Sequence, residues 1–281
     1  MAEFILSAFA DEYSPVFDEQ LLGLAEHGIK YMEIRGVDGQ NIADITVDKA
    51  REIKSKLDAA GIAVSSMGSP IGKIGIYDPF EPHIEQYKRV IESAHILECD
   101  RIRIFSFFIP SDSTPAECRS KVFYRLEELL NIAKTEGVIL CHENEKGIYA
   151  DLSERCLDLQ EYFNGEIKCI FDHANFICCD DEPYPKAFEL LKDYIFYLHI
   201  KDADSEHHMT PAGDGIGRIP ETIEALRAYD RTYVLTVEPH LRVFKGLEKL
   251  QSTHGEGAVL NQYATSAEAF AAAVRGIRRY L

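Results

Sequence analysis

The chain is 281 residues long and 46% hydrophobic, with 47 acidic against 30 basic residues and a net charge of −17. The length admits one large domain or two small ones. The acidic balance disfavours DNA, RNA and anionic membranes as partners, because phosphate binding needs clustered Lys and Arg and no run of them occurs.

FILSAF (4–9) reads as the first strand. Ser14-Pro15 reads as a helix start, with Ser14 as N-cap and with Phe17, Leu21 and Leu24 on one apolar face. KYMEIR (30–35) is the second strand; Thr46 then caps a helix that ends before Gly61, and IAVSSM (62–67) is the third. A helix over 80–98 leads to RIRIFSFF (101–108). Thr114-Pro115-x-Glu117 has the form of a capping box. GVILCHE (137–143), a helix from Asp151 with Glu154 three residues on, and IKCIFD (167–172) follow. A helix over 184–193 precedes YIFYLHI (194–200), one over 219–229 precedes TYVLTVE (232–238), and Ser266 opens a last helix to about Tyr280.

Eight strands alternating with eight helices imply a parallel sheet with helical crossovers. The expectation is an α/β protein, one (β/α)8 TIM barrel over residues 1–281, since such a barrel takes about 250 residues as a single domain. No G-x-G-x-x-G follows the first strand, which removes the usual dinucleotide alternative. The loops 202–218 and 239–265 exceed the ~12–15 residues of ordinary connections and are expected to serve function on the active-site face.

The seven Cys form no C-x-x-C pair, which fits a reducing cytoplasm; Cys141 and Cys169 read as small buried hydrophobes, Cys178 and Cys179 as loop residues. The first 13 residues carry Glu3, Asp11 and Glu12 and no basic residue, a poor signal peptide. No apolar run approaches the ~20 residues of a membrane helix. A cytoplasmic location is therefore expected.

Four of the strand-like runs end in Glu143, Asp172, His199 and Glu238. The spacings, 172−143 = 29, 199−172 = 27 and 238−199 = 39 residues, match a strand–helix unit of roughly 30. In a parallel barrel such strand exits converge on one face. A single carboxylate after a strand is commonly a helix cap or a solvated loop residue. Three carboxylates and an imidazole at one point repel unless a cation joins them. Oxygen ligands with one nitrogen suit manganese, magnesium or cobalt, with zinc also open. Glu33 and Arg35, beside Ile34, would orient a hydroxyl or pair at the barrel mouth. His142 alternates with Glu143 and should face the helices. His173, His240 and His207-His208 are expected outside the ligand set. Gly213-Asp214-Gly215-x-Gly217 reads first as a flexible turn and second as a phosphate cradle.

Glu143-Asn144 after a strand, Asp172-x-x-Asn175, His199-x-Lys201-Asp202 and Glu238-Pro239 resemble the sugar phosphate isomerase/epimerase superfamily of xylose isomerase-like barrels, which includes ketose 3-epimerases, inosose dehydratases and hydroxypyruvate isomerase. The resemblance spans essentially the whole chain. It implies that Glu143, Asp172, His199 and Glu238 bind one divalent ion, manganese foremost. It further implies that Glu143 and Glu238 are the acid/base pair acting through a metal-stabilised enediolate. The substrate would be a small sugar or sugar phosphate, contacted by Asn175, Lys201, Glu33, Arg35 and Phe107. Phe9, Phe108 and Phe176 share the strand exits with Phe107, where one or two rings could wall a sugar. A homodimer or homotetramer is implied as well. The sequence departs from the ketose 3-epimerases at Asn175, where they carry His, and at Ser205, where they carry Arg. The Lys201-Asp202 pair resembles inosose dehydratases, so dehydration at the same site is the alternative. An endonuclease IV-like hydrolase would need further His ligands and a basic face. A non-catalytic sugar-binding protein would not need both glutamates.

Overall fold

The computed structural model describes residues 2–243, 259–260 and 262–281. Eight strands, β1 Glu3–Ala8, β2 Tyr31–Ile34, β3 Ala63–Ile71, β4 Arg101–Ile104, β5 Ile139–Glu143, β6 Lys168–Asp172, β7 Ile195–Ile200 and β8 Thr232–Val237, close into a barrel. Each pairs in parallel with its neighbours in chain order, and β1 meets β8 from Glu3↔Thr232 to Ala8↔Val237. The register sets Asp172 beside His199 and His199 beside Thr236, so the last turns of β6, β7 and β8 share one level.

The helices are α1 Phe17–Glu26, α2 Val47–Ala60, α3 Glu81–Ile96, α4 Pro115–Glu136, α5 Ser153–Tyr162, α6 His173–Cys178, α7 Phe188–Leu191, α8 Ile219–Leu226 and α9 Ser266–Arg278. Thr46 accepts the Lys49 N–H to open α2, and Gly61 closes it in the left-handed region. Thr114 and Glu117 form the capping box of α4; Thr265 and Glu268 form that of α9. Buried Leu, Ile, Val and Phe from both layers make one continuous core between barrel and helices. No described helix is long and apolar enough to cross a membrane.

Several local expectations need correction. Helix α1 starts at Phe17 without a side-chain cap, because the Ser14 hydroxyl accepts the Val16 N–H and donates to Glu19 instead. Helix α5 starts at Ser153; Asp151 pairs with Arg155, and Asp181 Oδ2 accepts the Ser153 N–H at 2.7 Å. The helix expected over 184–193 shrinks to α7 after an irregular turn at Pro183–Ala187, where Tyr184 is extended (φ −144°, ψ 129°) before the cis Tyr184–Pro185 bond. A residue before proline is driven out of the helical region, which accounts for the break.

Strand β4 stops at Ile104, short of the expected Phe108, and Phe107 lies at φ +62°, while β3 runs on to Ile71. Cys178 ends helix α6 and is buried, and Cys141 and Cys169 are buried as expected. The loop 202–218 holds a short antiparallel pair, Asp202–Ala203 with Met209–Thr210. Much of the 239–265 loop lies outside the described residues.

Candidate metal centre

Glu143 and Asp172 are the last residues of β5 and β6, His199 is the next to last of β7, and Glu238 follows the last of β8. All four are buried at the C-terminal end of the barrel. One ligand atom from each lies within 4.8 Å of the others. His199 Nδ1 is 2.8 Å from Glu143 Oε1, 3.4 Å from Glu238 Oε2 and 4.0 Å from Asp172 Oδ2. Lys201 Nζ stands 3.1 Å from Asp172 Oδ2 and 3.3 Å from Glu238 Oε2.

The opposite atom of every one of these groups is tied down. Arg103 donates to Glu143 Oε2 at 3.0 Å, the Asn175 N–H to Asp172 Oδ1 at 2.8 Å, and Arg35 to Glu238 Oε1 at 2.8 Å. His199 Nε2 meets Glu33 Oε2 at 3.1 Å. Glu33 also accepts from Tyr197 (3.0 Å) and Thr236 (2.9 Å), so it braces His199 from inside the barrel. Donation of Nε2–H to Glu33 would leave Nδ1 as the ligand nitrogen.

The donor set fits a divalent cation. Asp172 Oδ2 is buried and accepts no hydrogen bond, its Lys201 contact being an ion pair without hydrogen-bond geometry. Burial raises the Asp172 pKa to about 7, with Lys201 opposing and the Glu238 and Glu143 charges adding to the rise. Burial alone would also raise Glu143, but His199 and Arg103 outweigh it and hold its carboxyl at about 2. Glu238 likewise falls well below the carboxylate range, as Lys201, His240, His199 and Arg35 overcome burial. Burial works against a charged His199, yet Glu143 and Glu33 lift it to about 10. The cluster thus stabilises positive charge at its centre strongly enough to favour even a buried imidazolium.

A second group of close ligand atoms, Glu12, Glu238 and His240, shares Glu238. Its positive charge is already present: Arg35 lies 3.1 Å from Glu12 Oε1 and 2.8 Å from Glu238 Oε1, and it also bonds to Asp11. Burial nevertheless lifts Glu12 to about 8, with Arg35 acting against the rise.

The pocket over the centre is lined by Arg35, Lys73, Arg103, Glu143, Glu145, Lys201, Glu238 and His240. Among the sequence candidates, Arg35 and Lys201 face it, and Asn175 bonds to Glu143 Oε1 (3.3 Å) and Asn144 O (2.8 Å). Glu33 sits behind His199. Phe107 is in the core against Phe80. Phe9 is edge-on to His199 and beneath Arg35 at 4.2 Å, Tyr197 also meets the His199 ring, and Phe105 lies 4.4 Å below Lys73. His142 is buried and burial lowers it to about 4, while His173 bonds to Thr222. Sequence reasoning passed over Arg103, Asp11, Glu12 and Phe105; the available signal for Arg103 was a charge between Ile102 and Ile104 in an apolar strand.

The glycine-rich turn does cradle an anion, the chain's own Asp202. That buried carboxylate accepts the N–H groups of Gly213, Gly215 and Gly217 at 2.9, 3.3 and 2.9 Å. A Cβ on Gly215 would stand 2.3 Å from Ala203 O and 2.4 Å from Asp202 Oδ1. Gly215→Ala should therefore cost about 2–4 kcal/mol. That would appear as a lower melting temperature in thermal unfolding; an unchanged one would show that the turn yields freely.

A closed parallel barrel with a buried acidic and imidazole cluster at its C-terminal mouth defines a (β/α)8 protein with a divalent-ion-sized site. The chain belongs to the xylose isomerase-like TIM barrel family, whose sequence model matches residues 23–259. No curated protein matches it in sequence. Among solved structures it is similar to a D-allulose 3-epimerase from Methylomonas sp., at 16% identity and TM-score 0.74, covering 100% of both chains. It is also similar to the IOLI protein with a bound zinc atom, at 18% and 0.72 over 99% of each. A third is the probable 3-DHS dehydratase AsbF from Bacillus anthracis, at 15% and 0.71 over 99% of each.

Proposed function

We propose that the chain, acting as one domain, is a divalent-metal-dependent isomerase or epimerase of a small sugar or sugar phosphate. The observation that carries this reading is the convergence of Glu143 Oε1, Asp172 Oδ2, His199 Nδ1 and Glu238 Oε2 at the mouth of a barrel of this family. Those atoms would hold the ion, with manganese the first choice and magnesium, cobalt or zinc as alternatives. When bound, the ion supplies positive charge beside a carbonyl and its neighbouring hydroxyl, where negative charge develops as the adjacent C–H ionises.

Glu143 and Glu238 are the residues for moving that proton. Their buried carboxyls are kept ionised by His199 and Arg103 at Glu143 and by Lys201, His240, His199 and Arg35 at Glu238, which is the state a base must start from. Each carboxylate oxygen has two lone pairs, so an Arg hydrogen bond does not exhaust an oxygen's capacity for a proton. Lys201, on the pocket wall, would donate to a substrate oxygen, and Asn175 would do so once its amide gives up the bond to Glu143 Oε1. Glu33 acts through His199, and the buried Phe9 and Phe105 rings support Arg35 and Lys73 of the pocket from beneath.

A second reading, loss of water after the same proton abstraction, is favoured by Lys201. Its amine borders the two ligand carboxylates, where it could protonate a departing hydroxyl. Incubating the metal-loaded protein in D₂O with a panel of ketoses and inososes separates the two by mass. Isomerisation or epimerisation leaves the product isomeric with its substrate, with deuterium exchanged at carbon when the proton is not shielded. Dehydration removes one water. No conversion of any member in the presence of Mn²⁺, Mg²⁺, Co²⁺ or Zn²⁺ would overturn both readings and favour a binding role.

A further inference from the structure

Arg103 lies on β4 between Ile102 and Ile104 and is buried, with 3% of its surface exposed. Its side chain turns into the barrel, where a charge is costly unless paired and hydrogen-bonded. The guanidinium is used on three sides. NH1 donates to Glu143 Oε2 at 3.0 Å, Nε to the Ser69 carbonyl at 3.3 Å and NH2 to the Gly68 carbonyl at 3.1 Å. The Phe9 and Phe105 rings each lie 5.1 Å from its central carbon. Two of the three contacts are to the backbone of the neighbouring strand, so the fork is fixed by the barrel itself and does not follow Glu143 if that side chain moves.

Glu143 consequently has two inequivalent oxygens. Oε2 is held by Arg103, while Oε1 faces His199 Nδ1 at 2.8 Å and Asn175 Nδ2 at 3.3 Å. A carboxylate with neither oxygen tied can turn to chelate an ion through both. Here that rotation would break the charge-assisted bond to a guanidinium that cannot follow, and would leave Arg103 buried beside no other hydrogen-bonded carboxylate. Arg35 differs: it divides its donors among Asp11, Glu12 and Glu238.

We propose that Arg103 is a positioning residue that makes Glu143 a one-oxygen ligand, presenting Oε1 to the metal while Oε2 stays on the guanidinium. This rests on the metal-site reading above. In this role Arg103 acts by fixing the ligand's orientation from an anchor on β3.

The test uses Mn²⁺ as the probe. In the 281-residue chain, infrared difference spectra with and without Mn²⁺ report how the carboxylates bind, and a one-oxygen pattern is expected. Arg103→Met and Arg103→Lys are then compared with wild type for Mn²⁺ affinity, for the electron paramagnetic resonance of bound Mn²⁺, and for kcat against KM. Arg103→Met should lose about 10–100-fold in affinity, the usual cost of an outer-shell partner. It should also show an altered Mn²⁺ resonance, and kcat should fall more than KM rises. Arg103→Lys keeps the charge without the three-point fork, and should recover part of the affinity but not the wild-type spectrum. Circular dichroism without metal checks that the variants fold; the wild-type infrared measurement stands even if neither does. Chelating carboxylates throughout in wild type, or folded variants with wild-type affinity and resonance, would overturn the role of Arg103 while leaving the metal site intact. A wild-type protein that binds neither Mn²⁺ nor Zn²⁺ would instead overturn the metal reading itself, and this one with it.

Discussion

Glu143→Gln and Glu238→Gln, each saturated with metal, should lose at least ~10²-fold in kcat, the lower end of what general acid–base catalysis contributes per group. The substitution preserves size and one acceptor oxygen. In Glu143→Gln that oxygen can still accept from Arg103, which turns the amide NH₂ towards His199 and the ion position, so metal affinity falls as well. Saturating metal separates the two losses. If both glutamates only hold the ion, added metal restores the rate. If they carry the proton, an amide can neither take nor return it and the rate stays low. Exchange of solvent deuterium into substrate carbon should fail along with turnover in whichever variant removes the base. Near-normal kcat in either metal-loaded variant would refute the paired-carboxylate mechanism.

The cluster of Glu143, Asp172, His199 and Glu238 was legible in the sequence because barrel geometry converts spacing into proximity. Glu143, Asp172, His199 and Glu238 each end an apolar run, and the parallel barrel brings the exits of β5 to β8 to one end, with Glu143 beside Ile170, Asp172 beside His199 and His199 beside Thr236. The alternation of runs and capping signals also placed the eight strands. The groups that hold the ligands were harder to read. Arg103 sits in RIRI, where an alternating Arg ordinarily marks a solvated face; only the closed barrel shows that its face is the lumen. Arg35 was picked out, but its partners Asp11 and Glu12 come from the turn after β1, and no local pattern links them. Glu33 was legible as a polar residue at a strand exit, yet its bonds to His199, Tyr197 and Thr236 come from β7 and β8 across the lumen. The same holds for the glycine-rich turn, whose anion is Asp202, eleven residues before Gly213. Local composition identified the cradle without its occupant. Long-range pairs of this kind are set by packing after the elements form.

Asp172→Asn should reverse the order of stability between the metal-free and metal-loaded protein. Asp172 Oδ2 is buried beside Glu143 and Glu238, and its pKa is raised from 3.8 to about 7 in the fold. The folded state therefore holds a proton on this group that the unfolded chain has released, and stability drawn from it falls as pH rises from about 4 to about 7. Asparagine removes that titration while its side-chain oxygen can still accept the Asn175 N–H at the start of α6. Metal-free Asp172→Asn at pH 8 should accordingly be at least as stable as wild type, and should lose less stability between pH 4 and pH 7. The loss of the Lys201 ion pair works in the other direction and limits the gain. With metal the order inverts. An ion at ~100 times its Kd stabilises wild type by about 2.7 kcal/mol. The variant lacks a charged ligand, should bind more weakly than the loss of an outer partner would explain, and should gain little from the same ion concentration. Thermal melts of both proteins at pH 5 and pH 8, with chelator and with Mn²⁺, read all four states. An equal metal-induced shift in wild type and variant would remove Asp172 from the ligand set. A metal-free variant much less stable than wild type at pH 8 would show that the buried carboxylate serves the fold through Lys201 rather than waiting for a cation.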